Sequence, residues 1–214
     1  FTPYWKASRL DFIVPSPLPQ PKNLGLSIND RIKGECALSA LDLLPKSPDW
    51  TPSLSAAWTP GEQGAQAVLK KFLKGGFAGY AEDRNRPDRP STSRLSPHIR
   101  FGEISIKQIW HAAMMAHESQ ISASSSEDLR VFQAELGWRE FSYHQLFHEP
   151  DLTRVNVQRR FDDFPWERNE AYYTAWCKGM TGYPIVDAGM RELWQTGFMH
   201  NRVRMIAASF LVKH

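Results

Sequence analysis

Residues 181–205 read TGYPIVDAGMRELWQTGFMHNRVRM, and this stretch decides the fold. No single period runs through it. Turn chemistry at Gly182, Pro184 and Gly197 alternates with helix-forming runs, small residues sit at Ala188 and Gly189, and Asn201, Arg202, Arg204 and Met205 crowd the end. The spacing predicts helices near 185–195 and 200–213. In the second, Val203, Ile206, Ala207, Phe210 and Leu211 make an apolar face. Asn201, Arg204 and Met205 share the opposite face, and Arg202 points to its side.

Upstream the pattern stays helical. A helix near 168–178 and a long one from about Glu127 to Phe147 precede the stretch, the latter capped by the last serine of the run Ser122 to Ser126. Ser105-Ile106-Lys107-Gln108 fits a capping box before Ile109, Trp110, Ala113 and Met114. Ala65, Val68, Leu69, Phe72 and Leu73 recur at helical spacing up to a stop at Gly75-Gly76. Strand signals are weak throughout, so the fold class is all-α. Residues 1–60 read as a linker: eight prolines from Pro15 to Pro60 interrupt helix continuation, and only Asp30 to Leu44 suggests a short helix or turn. The helical domain then occupies 61–214. An abrupt start at Phe1 and an apolar helix face running to His214 without a C-cap give the expectation of a piece cut from a longer polypeptide.

Composition narrows the classes. The chain has 214 residues, 42% apolar and 23% charged, with a formal net charge of +3 that permits a polyanionic partner without requiring one. Cys36 and Cys177 lack metal-like spacing and read as reduced thiols of a cytoplasmic protein. No apolar run approaches the ~18 residues of a membrane span, and no signal peptide is evident. His144, His148 and Glu149 lack a clear third ligand partner, so no metal site is expected. Eight Trp and twelve Phe call for a large core or a ring-binding site.

Three groups of residues carry chemistry. Glu135, Trp138, Arg139 and Ser142 share one helical face, beside a core stripe of Leu129, Phe132, Leu136 and Tyr143. A carboxylate, an indole and a guanidinium on one face suit a flat polar heterocycle, although the same residues also fit a surface ion pair beside a core-edge Trp. Ser91-Thr92-Ser93-Arg94-Leu95-Ser96-Pro97 places hydroxyls and a cation before a helix start, with Ser96 as N-cap and Pro97 at N1. This suits a phosphate and equally an ordinary capped loop. Tyr80 and Arg84 lie just upstream. Arg202 and Arg204 suit a phosphate or a buried carboxylate, and Met205 suits contact with a ring.

These blocks, together with Gly137-Trp138-Arg139-Glu140-Phe141, resemble the flavin-binding helical domain of the photolyase/cryptochrome family over about residues 60–214. The resemblance implies FAD contacts at Tyr80, Thr92, Ser93, Arg94, Leu95, Ser96 and Arg204. It implies a DNA side at Arg84, Glu135, Trp138, Arg139, Asn201 and Arg202. Trp138 would stack on a flipped-out pyrimidine dimer, Glu135 would bond its bases, Met205 would touch it, and Trp166 would end a tryptophan electron-transfer chain. Plant-type cryptochromes typically carry aliphatic residues at the Trp138-like and Met205-like positions, and (6-4) photolyases carry paired histidines at His200-Asn201. The residues here therefore resemble cyclobutane-dimer photolyases, with Phe198 a departure from a common Trp. UV-damaged DNA and FAD are the implied partners of a monomer. A folate or deazaflavin antenna would sit in a separate N-terminal α/β domain, and the remaining flavin contacts are expected beyond His214. A cryptochrome-like photoreceptor and a cofactor-free helical module are the competing readings.

Overall fold

The computed structural model describes residues 1–10, 14–22, 36–119, 121 and 123–213, and its elements are all helical. In chain order they are α1 (Thr2–Leu10), α2 (Thr51–Ala57), α3 (Glu62–Gly75), α4 (Tyr80–Asp83), α5 (Ser96–Arg100), α6 (Ile106–Glu118), α7 (Ser126–His148), α8 (Glu170–Cys177), α9 (Pro184–Thr196) and α10 (Asn201–Lys213). Short 3₁₀ turns occur at Leu38–Leu41, Pro150–Thr153 and Arg159–Phe161.

The proline-rich first 60 residues hold more helix than their composition suggests. Pro3 and Pro52 fall in the first turns of α1 and α2, where the N–H that proline lacks has no intrahelical partner anyway. Residues 30–35 of the expected Asp30–Leu44 element lie outside the described residues, and its later part is the 3₁₀ turn. α1 docks on α7 at Gly137, where an added Cβ would lie 2.2 Å from Cζ3 of Trp5.

Two cores organise the helices. The larger joins α3, α6 and α7 around Leu69, Phe72, Phe77, Ile109, Phe132 and Leu136, with Tyr80 and Leu95 closing it. Phe72, Phe77, Tyr80 and Phe132 form an aromatic cluster with centroids 5.0–5.7 Å apart. Tyr143, expected on the core stripe of α7, is half exposed because that stripe runs past the end of the core. The smaller core packs Val186 and Met190 of α9 against Val203 and Ala207 of α10, with Met199, Trp176 and Phe210. α9 and α10 approach so closely that a Cβ on Gly189 would lie 2.3 Å from Val203 Cγ1.

The turn before α9 explains its sequence. Asp187 reaches back to accept from Thr181 N at 2.8 Å, Thr181 Oγ1 at 2.6 Å and Gly182 N at 2.9 Å, and Pro184 opens the helix. Burial pushes the Asp187 pKa up, but these donors and Arg191 outweigh it and hold the carboxyl below the usual range. Gly197 ends α9 in the left-handed region, with φ 68°.

The capping box at Ser105 forms as the sequence indicates. For α7 the cap is Ser125, one residue earlier than the last serine of its run. Asp128 at N3 completes a capping box there that Ser126 could not form, because the residue three after Ser126 is Leu129.

Candidate functional site

Asp128 builds the site from beneath. Only 4% exposed, its carboxylate accepts from Ser125 N and Ser125 Oγ at the start of α7, and also from Gly79 N at 3.1 Å and Ala81 N at 2.7 Å at the start of α4. One carboxylate therefore serves two helix N-termini and locks the four-residue α4 to the long α7. Burial pushes its pKa up, but the donors from Ala81, Ser125 and Gly79 win and hold it below the ordinary carboxylate value.

α4 then presents its side chains to α7. The Tyr80 ring lies in the core, and its phenol pKa is pushed up to about 12, chiefly by burial, with Arg84 pulling the other way. The Arg84 guanidinium lies over the Tyr80 ring, 5.7 Å from the centroid, and pairs with Glu135 of α7 at 2.7 Å. Trp138 stands one turn beyond Glu135 and is 45% exposed. The Phe1 ring lies parallel on it at 3.6 Å between centroids. Arg139 turns away from this group, with Nη2 donating to Tyr143 Oη at 3.1 Å and the guanidinium over the Tyr143 ring.

The second half of the site arrives from α10. Arg202 donates from Nε at 2.9 Å and Nη2 at 2.6 Å to Oδ1 of Asn85, which directly follows Arg84. Arg202 Nη1 lies 3.5 Å from the sulfur of Met205. Asn201, Arg204 and Met205 are exposed, and Arg204 donates to the Met199 carbonyl at 3.3 Å. His200 is buried, and its Nδ1 accepts from Arg202 N at 3.2 Å. Burial lowers its pKa against the opposing pull of the Arg84 backbone and Glu192. Tyr80, Arg84, Glu135, Arg202 and Met205 thus form one continuous group, with Trp138 beside it on α7.

The hydroxyl run follows α4 in the chain. Ser91 Oγ donates to the Asp83 carbonyl, which ties the run to α4. Thr92 and Ser93 are half-buried. Among the described residues, the hydroxyls of Thr92, Ser93 and Ser96 have no protein partner. Arg94 has a positive φ of 53° and places its guanidinium between the Trp58 ring at 5.1 Å and the Phe198 ring at 4.5 Å. Trp58 in turn donates from Nε1 to the Thr196 carbonyl at 2.5 Å, so α2, α9 and this loop meet at one cation. Ser96 is not the N-cap: it is the first helical residue, and Leu95, buried in the core, stands at the cap position. The core fixes Leu95 and thereby sets where the helix begins.

Trp166 is 58% exposed, and its ring contact is with Phe164 at 4.6 Å, away from the group just described. Sequence reasoning missed Asn85 and Asp128. The Ser-x-x-Asp spacing at 125–128 is the signal that could have marked Asp128, whereas no local pattern singles out Asn85. Among the described residues no set of three His, Cys, Asp or Glu is grouped to hold a metal, and no helix is long and apolar enough to cross a membrane.

The frame is all-helical, and α4, α7 and α10 bring a carboxylate and two arginines from distant parts of the sequence into one linked group. Residues 132–214 match the family model described as the FAD binding domain of DNA photolyase. The chain belongs to the photolyase/cryptochrome family. It is 48% identical over all of its 214 residues to a deoxyribodipyrimidine photo-lyase of Agrobacterium fabrum, covering 43% of that protein. It is 33% identical to cryptochrome-1 of Arabidopsis thaliana, with all of this chain and 31% of that protein covered. Among solved structures, a bacterial class III photolyase from Agrobacterium tumefaciens superposes with a TM-score of 0.92 at 48% identity, over the whole chain and 43% of that protein. An archaeal photolyase from Sulfolobus tokodaii gives a TM-score of 0.59 at 35% identity, over 72% of this chain and 31% of that one. The chain therefore spans less than half the length of these relatives.

Proposed function

We propose that the chain is part of a light-driven DNA-repair lyase that binds FAD and acts on cyclobutane pyrimidine dimers in UV-damaged DNA. The observation that carries this reading is the continuous group Arg84–Glu135, Trp138, Arg202 and Met205, assembled on one surface from helices far apart in sequence. In this reading Trp138 offers its ring face to a flipped-out base, and a base seated there takes the place of the Phe1 ring. Glu135, held by Arg84, accepts hydrogen bonds from the base edge. Arg84, Arg202 and Asn201 face the DNA, Arg139 reaches it by leaving Tyr143, and the Met205 thioether lies against the lesion.

FAD fits the residues of the hydroxyl run that follows α4. Thr92, Ser93 and Ser96 keep their hydroxyls available, and Arg94 adds a cation already oriented by two rings, the donor set that a pyrophosphate requires. Tyr80 contributes its hydroxyl edge, since its ring belongs to the core, while Leu95 supplies apolar wall and Arg204 lies nearer the flavin. Bound, reduced and excited by blue light, FAD supplies the electron that splits the dimer. Trp166 belongs to the path that delivers reducing electrons from the surface. An antenna of folate or deazaflavin type, carried by an α/β domain preceding residues 1–60, completes the reading, as do a monomeric state and a cytoplasmic location.

The test is dimer-containing oligonucleotide mixed with the FAD-loaded full-length protein under reducing conditions and blue light. Loss of the dimer in the light and its persistence in the dark is the expected result. A stable flavin spectrum with no repair would instead favour the photoreceptor reading, which the cryptochrome relatives keep as the alternative.

A further inference from the structure

We infer that Asn85 is a positioning residue for DNA recognition, setting the guanidinium of Arg202 so that its free edge meets a phosphate of the damaged strand. The inference rests on the repair reading above.

Asn85 and Arg202 are 117 positions apart in sequence and meet at the surface through two hydrogen bonds to one amide oxygen, at 2.9 and 2.6 Å. Asn85 is exposed and Arg202 half-exposed. An exposed polar pair of this kind contributes little to stability, because water serves both groups nearly as well when it opens. Its effect is on geometry. With Nε and one N–H of Nη2 bound to Asn85, and Nη1 against Met205 at 3.5 Å, one N–H remains on each of Nη1 and Nη2. That edge is the one a phosphate engages in bidentate fashion.

The oxygen that does this is itself well held. Asn85 N donates to the Glu82 carbonyl at 3.1 Å, and Arg84 N donates to the Tyr80 carbonyl at 3.1 Å, closing the end of α4. α4 is in turn fixed to α7 through Asp128. Arg84 and Asn85 are therefore adjacent anchors on one turn, the first gripping Glu135 on α7 and the second gripping Arg202 on α10. Through them the carboxylate proposed to read the base and the guanidinium proposed to hold the backbone share one reference point.

The test is a double-mutant cycle in the FAD-loaded full-length protein, with Asn85→Ala, Arg202→Ala and the pair. Fluorescence anisotropy reads binding to a dimer-containing duplex and to its undamaged counterpart over a range of salt. Asn85→Ala is expected to weaken binding to the damaged duplex about tenfold and to lower the salt slope by about one unit, as Arg202→Ala does. In the Arg202→Ala background it is expected to change affinity less than about twofold. The melting temperature of Asn85→Ala is expected to stay within about 2 °C of wild type, which a merely structural role would not predict. Wild-type affinity and salt slope in Asn85→Ala would overturn the inference, and so would an undiminished loss in the Arg202→Ala background. A wild-type protein that binds both duplexes equally would overturn the repair reading itself, and the inference with it.

Discussion

Replacing Asp128 probes the joint on which the candidate site stands. In the Asp128→Asn variant the side chain keeps its size but loses one acceptor. In its better orientation the amide oxygen stays near Gly79 N and the Ser125 donors, and the NH₂ faces the N–H of Ala81, now 2.7 Å from a carboxylate oxygen. One charge-assisted bond is lost, at about 1.5–3 kcal/mol, and a shielded donor is left unpaired at about 1–3 kcal/mol. Partial relaxation of the exposed end of α4 brings the expected cost to about 2–4 kcal/mol at pH 7. For a chain of this length that lowers the melting temperature by roughly 4–16 °C in thermal unfolding followed by circular dichroism. The pH dependence has a definite sign. The folded carboxyl has its pKa below the unfolded value of 3.8, so its contribution is complete above that value and is lost as pH falls through the folded one. The gap between wild type and Asp128→Asn should therefore be flat from pH 7 to about 5 and shrink below about 4. A variant within 0.5 kcal/mol of wild type at pH 7, or a gap that stays constant down to pH 3, would refute the role given to Asp128.

Gly189→Ala forces its methyl against Val203 and should destabilise by about 1–3 kcal/mol, whereas Gly189→Ala with Val203→Ala should cost less than the two changes summed, as read by urea unfolding. Trp138→Ala should weaken binding to dimer-containing DNA by about 1–3 kcal/mol, the usual worth of a base–aromatic stack, while leaving undamaged DNA nearly unaffected in the same titration. His200 is buried with its pKa lowered, so its contribution is present above the unfolded value of 6.5 and falls away below it. Wild type should accordingly lose more melting temperature between pH 7.5 and 5.5 than His200→Gln does.

Local patterns carried most of the helical frame. The spacing of Leu69, Phe72 and Leu73, the Ser105 box, and the Pro184 start and Gly197 stop of α9 each rest on a few neighbouring residues, and each appears in the structure near its expected place. Where the reading slipped, a competing contact had decided. Leu95, drawn into the core, took the cap position of α5 from Ser96; Asp128, needed by two helices, moved the cap of α7 to Ser125. In the proline-rich start, α1 forms where Trp5 has α7 to pack against.

The sequence by itself determined the helical class, the apolar face of the last helix, and the blocks that mark the family, because periodicity and turn chemistry act over spans of a few residues. Only the tertiary structure decided which charges meet. Arg84 could pair with any nearby carboxylate and pairs with Glu135, 51 positions on, and Arg202 rests on Asn85, 117 positions back. Arg94, read as a phosphate ligand, is also the cation enclosed by two rings, one just after α2 and one in the turn between α9 and α10. Such pairings depend on where whole helices come to rest. Their positions follow from the packing of Phe132, Met190 and Val203 in the cores, a property of the assembled volume that no local window of residues encodes.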